Sequence, residues 1–393
     1  MRIVSTGHIL PDSSKHCWLS LVLALMPAFY TAVSAAASES EINLEVLQEL
    51  DSEFAAGRHG YIDGMLILQH DKVVMNKRYE HDYRAPFETY LSGPEHVSFG
   101  GTGEYGYLDP DWHPWLNGGD LHTLQSVTKS VTSALIGIAI GRGEIDSVDI
   151  KVAPLLGSEA PFGGDPRAGE LTLWHFLTMT SGIEWNEENY ADADNDGNLI
   201  EATDAWVQYV LNKPFSHNPG EVFNYNSGTA QLLDQVLYQS TGMHAEEYAR
   251  IHLFAPLEIE EYYWKTTPDG FSDTLGGLYL SPAELAKFGK LYADDGVWAG
   301  QRILPEGWVQ ASWKPAVSVG SIPGRMYGYQ WWLVPDPDQP ARYIPVAVGY
   351  GGQLLAIFSE EDVIALLFGW NIMEGTTTYP TAEFVRQMAR AVR

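Results

Sequence analysis

An α+β fold is predicted for this chain: an antiparallel sheet flanked by terminal helices, with a mainly helical insertion. Three observations carry that expectation. Residues 61–80 read as two short strands around a turn. Residues 328–369 hold four more strand-like runs. Between these two regions the hydrophobic spacing is dominated by the helical period. Both chain ends should therefore build the sheet, from about residues 41–115 and 265–393, and residues 116–264 should supply the helical part.

Residues 1–35 stand apart from this scheme. Arg2 and Lys15 outweigh Asp12, and Trp18 to Val33 then form an uncharged, mostly apolar run. Small residues follow at Ser34, Ala35 and Ala36. This is the layout of a secretory signal peptide. The run is shorter than the roughly 20 residues a membrane span needs, and Pro27 interrupts it. Cleavage near Ala35, a periplasmic or secreted product and no stable membrane insertion afterwards are the expectations. Cys17 is the only cysteine and would leave with the leader. That excludes a disulfide framework and a thiolate zinc site.

The remaining 36–393 should fold as one domain. Residues 41–56 form an amphipathic helix, with Ile42, Val46, Leu47, Leu50 and Phe54 on one face. Gly64–Gln69 and Val73–Tyr79 are the first strands, with His70 and Asp71 between them. Residues 84–120 are rich in Gly, Pro, Tyr and Asp and read as a long loop of the kind that carries function. From Leu121 the pattern turns helical, with Val127, Val131, Leu135 and Ile138 on one face and Gly141 as the stop. Further helices are expected over 171–180, 201–212, 229–240, 245–253 and 282–294. Strands follow over 328–334, 343–349, 353–358 and 363–369, and a closing helix over 380–392. The net charge of −28, from 51 acidic and 23 basic residues, repels phosphate backbones and excludes a nucleic-acid partner.

Three stretches carry chemistry. In Gln125-Ser126-Val127-Thr128-Lys129, a helix starting near Ser126 places the hydroxyl and the lysine one turn apart on one face. The apolar run that follows, 134–140, marks a buried helix, where a lysine needs a reason. A desolvated lysine gives up its proton more easily and can accept that of the serine. The loop from Pro219 to Gly228 holds Tyr225 just before a helix expected near Thr229. Gly349, Gly351 and Gly352 around Tyr350 open the start of a strand to a close approach. Taken singly, each has a plainer reading: a capping serine, a half-buried phenol and a tight turn.

Taken in order, they resemble the serine β-lactamase and penicillin-binding-protein superfamily. Residues 171–182 (LTLWHFLTMTSG) and 276–289 (GGLYLSPAELAKFG) match further segments of that superfamily. The similarity runs from about residue 60 to the C-terminus. It is nearest to the class C-like serine hydrolases, which include esterases and the 6-aminohexanoate-dimer hydrolase. The resemblance implies a β-lactamase-like fold with Ser126 as nucleophile, Lys129 as base or its tuner, and Tyr225 as proton shuttle. The backbone N–H groups of Ser126 and Gln353 would form the oxyanion hole. Ser227, Tyr350, Gly351 and Gly352 would meet the substrate, a small ester or amide. No cofactor and no metal are implied.

Two departures narrow the activity. The family's Tyr-x-Asn reads Tyr225-Asn226-Ser227 here, and its Lys-Thr-Gly reads Tyr350-Gly351-Gly352. Losing that lysine argues against β-lactamase or D,D-peptidase action, the alternative activity. An inactive binding protein on the same fold is the alternative of another class. No G-x-S-x-G elbow or H-E-x-x-H pattern occurs, so Ser-His-Asp and metallohydrolase schemes are not supported, and His122 and His175 read as structural. Asp192–Leu199 matches the first part of a calcium loop, but position twelve is Thr203, and the segment reads as a solvated acidic loop. Trp185, Tyr190, Trp331, Trp332 and Trp370 are candidate pocket walls.

Overall fold

A computed structural model describes residues 41–84, 88, 111–190, 192–372 and 376–393. The expected leader lies outside the described residues, as does most of the 84–120 loop. Residues 40–393 form one compact unit.

The chain begins with α1 (Leu44–Ala55), whose Asn43 side chain caps the Glu45 N–H. Two strands follow, β1 (Ile62–Gln69) and β2 (Lys72–Arg78). His70 and Asp71 turn between them with positive φ, the conformation a tight hairpin requires. A two-residue strand, β3 (His122–Thr123), precedes α2 (Val127–Gly141). The helical region continues with α3 (Leu173–Leu177), α4 (Asp196–Glu201), α5 (Trp206–Leu211), α6 (Ser227–Thr241) and α7 (Ala245–Ala249). Next come β4 (Tyr262–Trp264), β5 (Leu278–Leu280), α8 (Pro282–Ala293), β6 (Val297–Trp298), β7 (Gln301–Arg302) and α9 (Trp308–Ser312). The C-terminal part holds β8 (Val317–Ser318), β9 (Met326–Tyr327), β10 (Trp332–Pro335), β11 (Tyr343–Gly349), β12 (Gln353–Phe358), β13 (Val363–Gly369) and α10 (Thr381–Val392).

One antiparallel sheet runs in the order β2-β1-β13-β12-β11-β10-β9-β8. Sequence-remote β1 and β13 are therefore neighbours, as the α+β reading requires. Both faces of the central strands are covered, which is why β12 and β13 read as continuous apolar runs rather than alternating ones. One face packs Leu47, Leu50 and Phe54 of α1 and Phe384, Val385 and Met388 of α10 against Ile67, Ala356 and Leu367. The other meets α2 and α8 in the larger core, through Leu135, Leu285, Leu355 and Leu366. Edge strand β2 exposes Lys72, Lys77 and Arg78, charges that blunt further strand pairing.

Several expected boundaries move. Residues 121–123 are not helical: β3 pairs with β5 in a second sheet, β3-β5-β4, and α2 starts only at Val127. The expected strand over 328–334 is β10 alone, after a turn with Gln330 at φ 63. The expected helix over 171–180 shortens to α3, because Met179 takes φ 58. The helix after Tyr225 starts at Ser227, capped by the Asn226 side chain. The glycine motif is not a strand start but the turn joining β11 to β12.

Candidate active site

The site begins at a strained residue. Gln125 has φ 48, a left-handed conformation costly for a side chain with a Cβ. It follows β3, and the Leu124 N–H donates to the Leu278 carbonyl at 2.9 Å, so the short sheet fixes the approach to α2. Ser126 then occupies the N-cap, yet its hydroxyl makes no capping bond. Instead its Oγ accepts from Lys129 Nζ at 2.8 Å. The Ser126 backbone N–H donates to no acceptor among the described residues.

Lys129 is 1% exposed, and its second bond is to the Leu275 carbonyl, at 2.5 Å. Burial pulls the Lys129 ammonium down to about 8, against the upward pull of Glu187, Asp273 and Glu201. Its Nζ lies 5.3 Å from the centroid of the Tyr225 ring. Tyr225 stacks on Trp332 at 5.6 Å. Burial pushes the Tyr225 phenol well up; Glu187 adds to this and a hydrogen bond with Ser126 opposes it.

A cavity of about 280 Å³ opens above Ser126. Tyr225, Trp332, Gly349, Tyr350, Gly351 and Gly352 form much of its wall. The glycines have specific tasks. Gly351 and Gly352 take φ 84 and 109 in the turn. A Cβ on Gly349 would stand 2.3 Å from the Leu124 carbonyl oxygen, so what approaches the backbone here is the loop that carries Ser126. Thr378, Tyr379, Pro380 and Thr381, ahead of and at the start of α10, complete the wall. A larger hollow of about 600 Å³ around Arg58, His59, His81 and Thr376 shares Thr378, Tyr379 and Pro380 with it but none of the motif residues.

The structure thus gathers Ser126, Lys129, Tyr225, Tyr350, Gly351 and Gly352. It places two expected residues differently. Ser227, expected at the substrate, does not line the cavity. Its N–H and hydroxyl donate to the Glu187 carboxylate at 2.9 and 2.6 Å, because the start of α6 points them inward. Gln353, of which only the backbone N–H was expected to take part, turns its side chain away, its Nε2 donating to the Tyr350 and Gly369 carbonyls, and is not among the residues that line the cavity. Of the aromatic candidates, Tyr190, Trp332 and Tyr350 line the cavity, and the Tyr190 and Tyr350 rings lie 4.6 Å apart. Trp331 and Trp370 are buried core.

Glu187 lines the cavity and went unnoticed in the sequence. Its signal was weak: an acidic residue five positions after Gly182, in a loop otherwise full of acids. The calcium-like loop nearby is used structurally. Asn195 caps α4, and Asp196 turns inward to accept from the Asn186 N–H and to pair with Lys213. No group of three or more acidic, histidine or cysteine side chains among the described residues could hold a metal ion. His122 bridges Asp63 Oδ2 at 2.8 Å and the Thr123 carbonyl at 2.9 Å, fully buried. His175 accepts the Thr172 N–H at the start of α3.

A buried lysine holding a helix-terminal serine hydroxyl beneath a cavity, on this sheet, defines a serine hydrolase of the β-lactamase-related class. The chain belongs to the Beta-lactamase family, whose model matches residues 56–375. It is 25% identical to a 6-aminohexanoate-dimer hydrolase of Paenarthrobacter ureafaciens over 272 residues, 64% of this chain and 67% of that protein. Its fold is shared by EstCE1, a hydrolase with promiscuous acyltransferase activity, with a TM-score of 0.63, 14% identity and coverage of 89% of this chain and 98% of that one. A Beta-Lactamase/D-Alanine Carboxypeptidase from Pseudomonas syringae shares it with a TM-score of 0.58 and 16% identity, covering 88% and 98% of the two chains.

Proposed function

We propose that this chain is an exported hydrolase that cleaves an ester or amide through a covalent acyl-Ser126 intermediate. The carrying observation is the 2.8 Å bond from buried Lys129 Nζ to Ser126 Oγ. Neutral Lys129 accepts the hydroxyl proton as Ser126 attacks the carbonyl carbon. The N–H groups of Ser126 and Gln353 receive the developing oxyanion. Tyr225, kept as a protonated phenol, hands its proton to the departing alcohol or amine and is reprotonated from the Lys129 ammonium, which returns Lys129 to its neutral form. Water, giving a proton to neutral Lys129, then attacks the acyl carbonyl carbon, and the ester bond to Ser126 Oγ breaks as that proton returns to the serine oxygen and the acid is released.

The names of the relatives, a 6-aminohexanoate-dimer hydrolase and a hydrolase with promiscuous acyltransferase activity among them, support hydrolysis with acyl transfer. A β-lactamase or carboxypeptidase reading is favoured by one of the matched folds. Against it stand the missing lysine at Tyr350 and the carboxylate of Glu187 in the cavity, where a β-lactam would bring its own carboxylate. Export rests on the leader-like residues 1–35.

The test is parallel hydrolysis of short p-nitrophenyl esters, linear amides and nitrocefin. Ester or amide turnover that exceeds nitrocefin turnover is expected, and Tyr350→Lys should raise the latter. Turnover of nitrocefin alone would install the β-lactamase reading, and no turnover of any would favour a binding protein.

A further inference from the structure

We propose that Glu187 sets the charge preference of the cavity. It admits esters and amides whose group next to the scissile carbonyl is neutral or cationic, and turns away those that carry a carboxylate there. This rests on the acyl-Ser126 reading and names the substrate class for that same site.

Glu187 is the only charged side chain among the described residues that line the cavity. Lys129 lies behind Ser126, and Arg325, whose guanidinium carbon is 5.7 Å from the Trp332 ring centroid, is not part of the wall. The Glu187 carboxylate is immobilised. Its Oε2 accepts from Trp185 Nε1 at 2.6 Å and from the Ser227 N–H at 2.9 Å. Its Oε1 accepts from the Ser227 hydroxyl at 2.6 Å and from the Tyr190 hydroxyl at 2.7 Å. A carboxylate offers about four acceptor positions, and all four are taken. Glu187 is therefore poorly placed to act as a proton acceptor in the reaction, which leaves that task to Lys129. What remains is a fixed negative charge facing a partly enclosed, aromatic space, where like charge is repelled and a cation can rest on ring faces.

The hydrogen-bond pattern makes Glu187→Gln a clean probe. Both obligate N–H donors go to one oxygen, which the glutamine carbonyl can replace. Both hydroxyls go to the other, and a hydroxyl can rotate to accept from the amide NH2.

Three esters of matched length separate the outcomes: p-nitrophenyl butyrate, its analogue with a terminal carboxylate (the hemiglutarate), and its analogue with a terminal trimethylammonium. Wild-type kcat/KM should fall in the order cationic, neutral, anionic, with the carboxylate ester at least about tenfold below the neutral one. In Glu187→Gln the anionic-to-neutral ratio should rise about tenfold. A purely structural role would lower all three esters together and leave the ratios unmoved, and that result overturns the proposal. So does a wild-type enzyme that takes the hemiglutarate as readily as the butyrate, a measurement that needs no variant. In both cases the acyl-Ser126 reading stands. If none of the three esters acylates Ser126, that reading falls and this one with it.

Discussion

Among single residues, the reactivity of Ser126 turns on where one proton sits. Lys129 is dry, and its ammonium is drawn down to about 8. The charged form dominates below that pH and cannot take the Ser126 proton; the neutral form dominates above and can. kcat/KM for a neutral ester should therefore climb from pH 6 and level off above about 8. Stopped-flow acylation across that range checks this, and a flat profile would remove Lys129 as the base. Lys129→Ala and Tyr225→Phe should each lose about 10²- to 10⁴-fold in acylation, the usual worth of general acid–base catalysis. Ser126, Lys129 and Tyr225 were legible because fixed spacing ties them to a helix start and a loop before a helix. Glu187 was not, since the contact that ties it to the site, from the Ser227 N–H and hydroxyl, spans 40 residues and forms only in the fold.

At the scale of elements, the site is held by short pieces of structure that leave no periodic trace. Two- and three-residue strands such as β3 and β5 are too brief to show alternation, so residues 121–123 read as the start of a helix, whereas His122 and Thr123 pair with Leu280 and Tyr279. The β3 register is locked by the buried His122–Asp63 contact, four residues before the nucleophile. His122→Ala takes one hydrogen-bond donor from buried Asp63, whose carboxylate keeps only the Tyr83 hydroxyl among the described residues, and should cost about 1–3 kcal/mol in urea unfolding; a change near zero would show that the contact holds nothing. On the facing strand, Gly349→Ala drives a methyl into the Leu124 carbonyl. The backbone there must move, and we expect a loss of about 1–3 kcal/mol together with slower acylation, because the displaced loop carries Ser126. Equal stability and rate in that variant would contradict the tight approach.

At the scale of the whole molecule, the antiparallel sheet was legible from strands at both chain ends, and the long helices α1, α2, α6, α8 and α10 lie close to where hydrophobic spacing put them. Chain order could not show that the segment before α10 bends back over the cavity, since residues 378–381 carry no motif and act through position alone. The net charge of −28 acts on every approaching ligand. A field of that sign steers cations inward and is screened by salt. kcat/KM for a cationic ester should fall as ionic strength rises, that for an anionic ester should rise, and a neutral ester should hardly respond. Identical salt profiles for all three would detach the surface charge from substrate capture.

The most direct measurement is the mass of the intact protein, followed by peptide mapping, after rapid mixing with a slowly deacylating p-nitrophenyl ester or a fluorophosphonate. An acyl-Ser126 mechanism gives one adduct per chain, on the peptide containing Ser126, absent in Ser126→Ala and strongly reduced in Lys129→Ala. An adduct on any other residue, or one retained in Ser126→Ala, would contradict it.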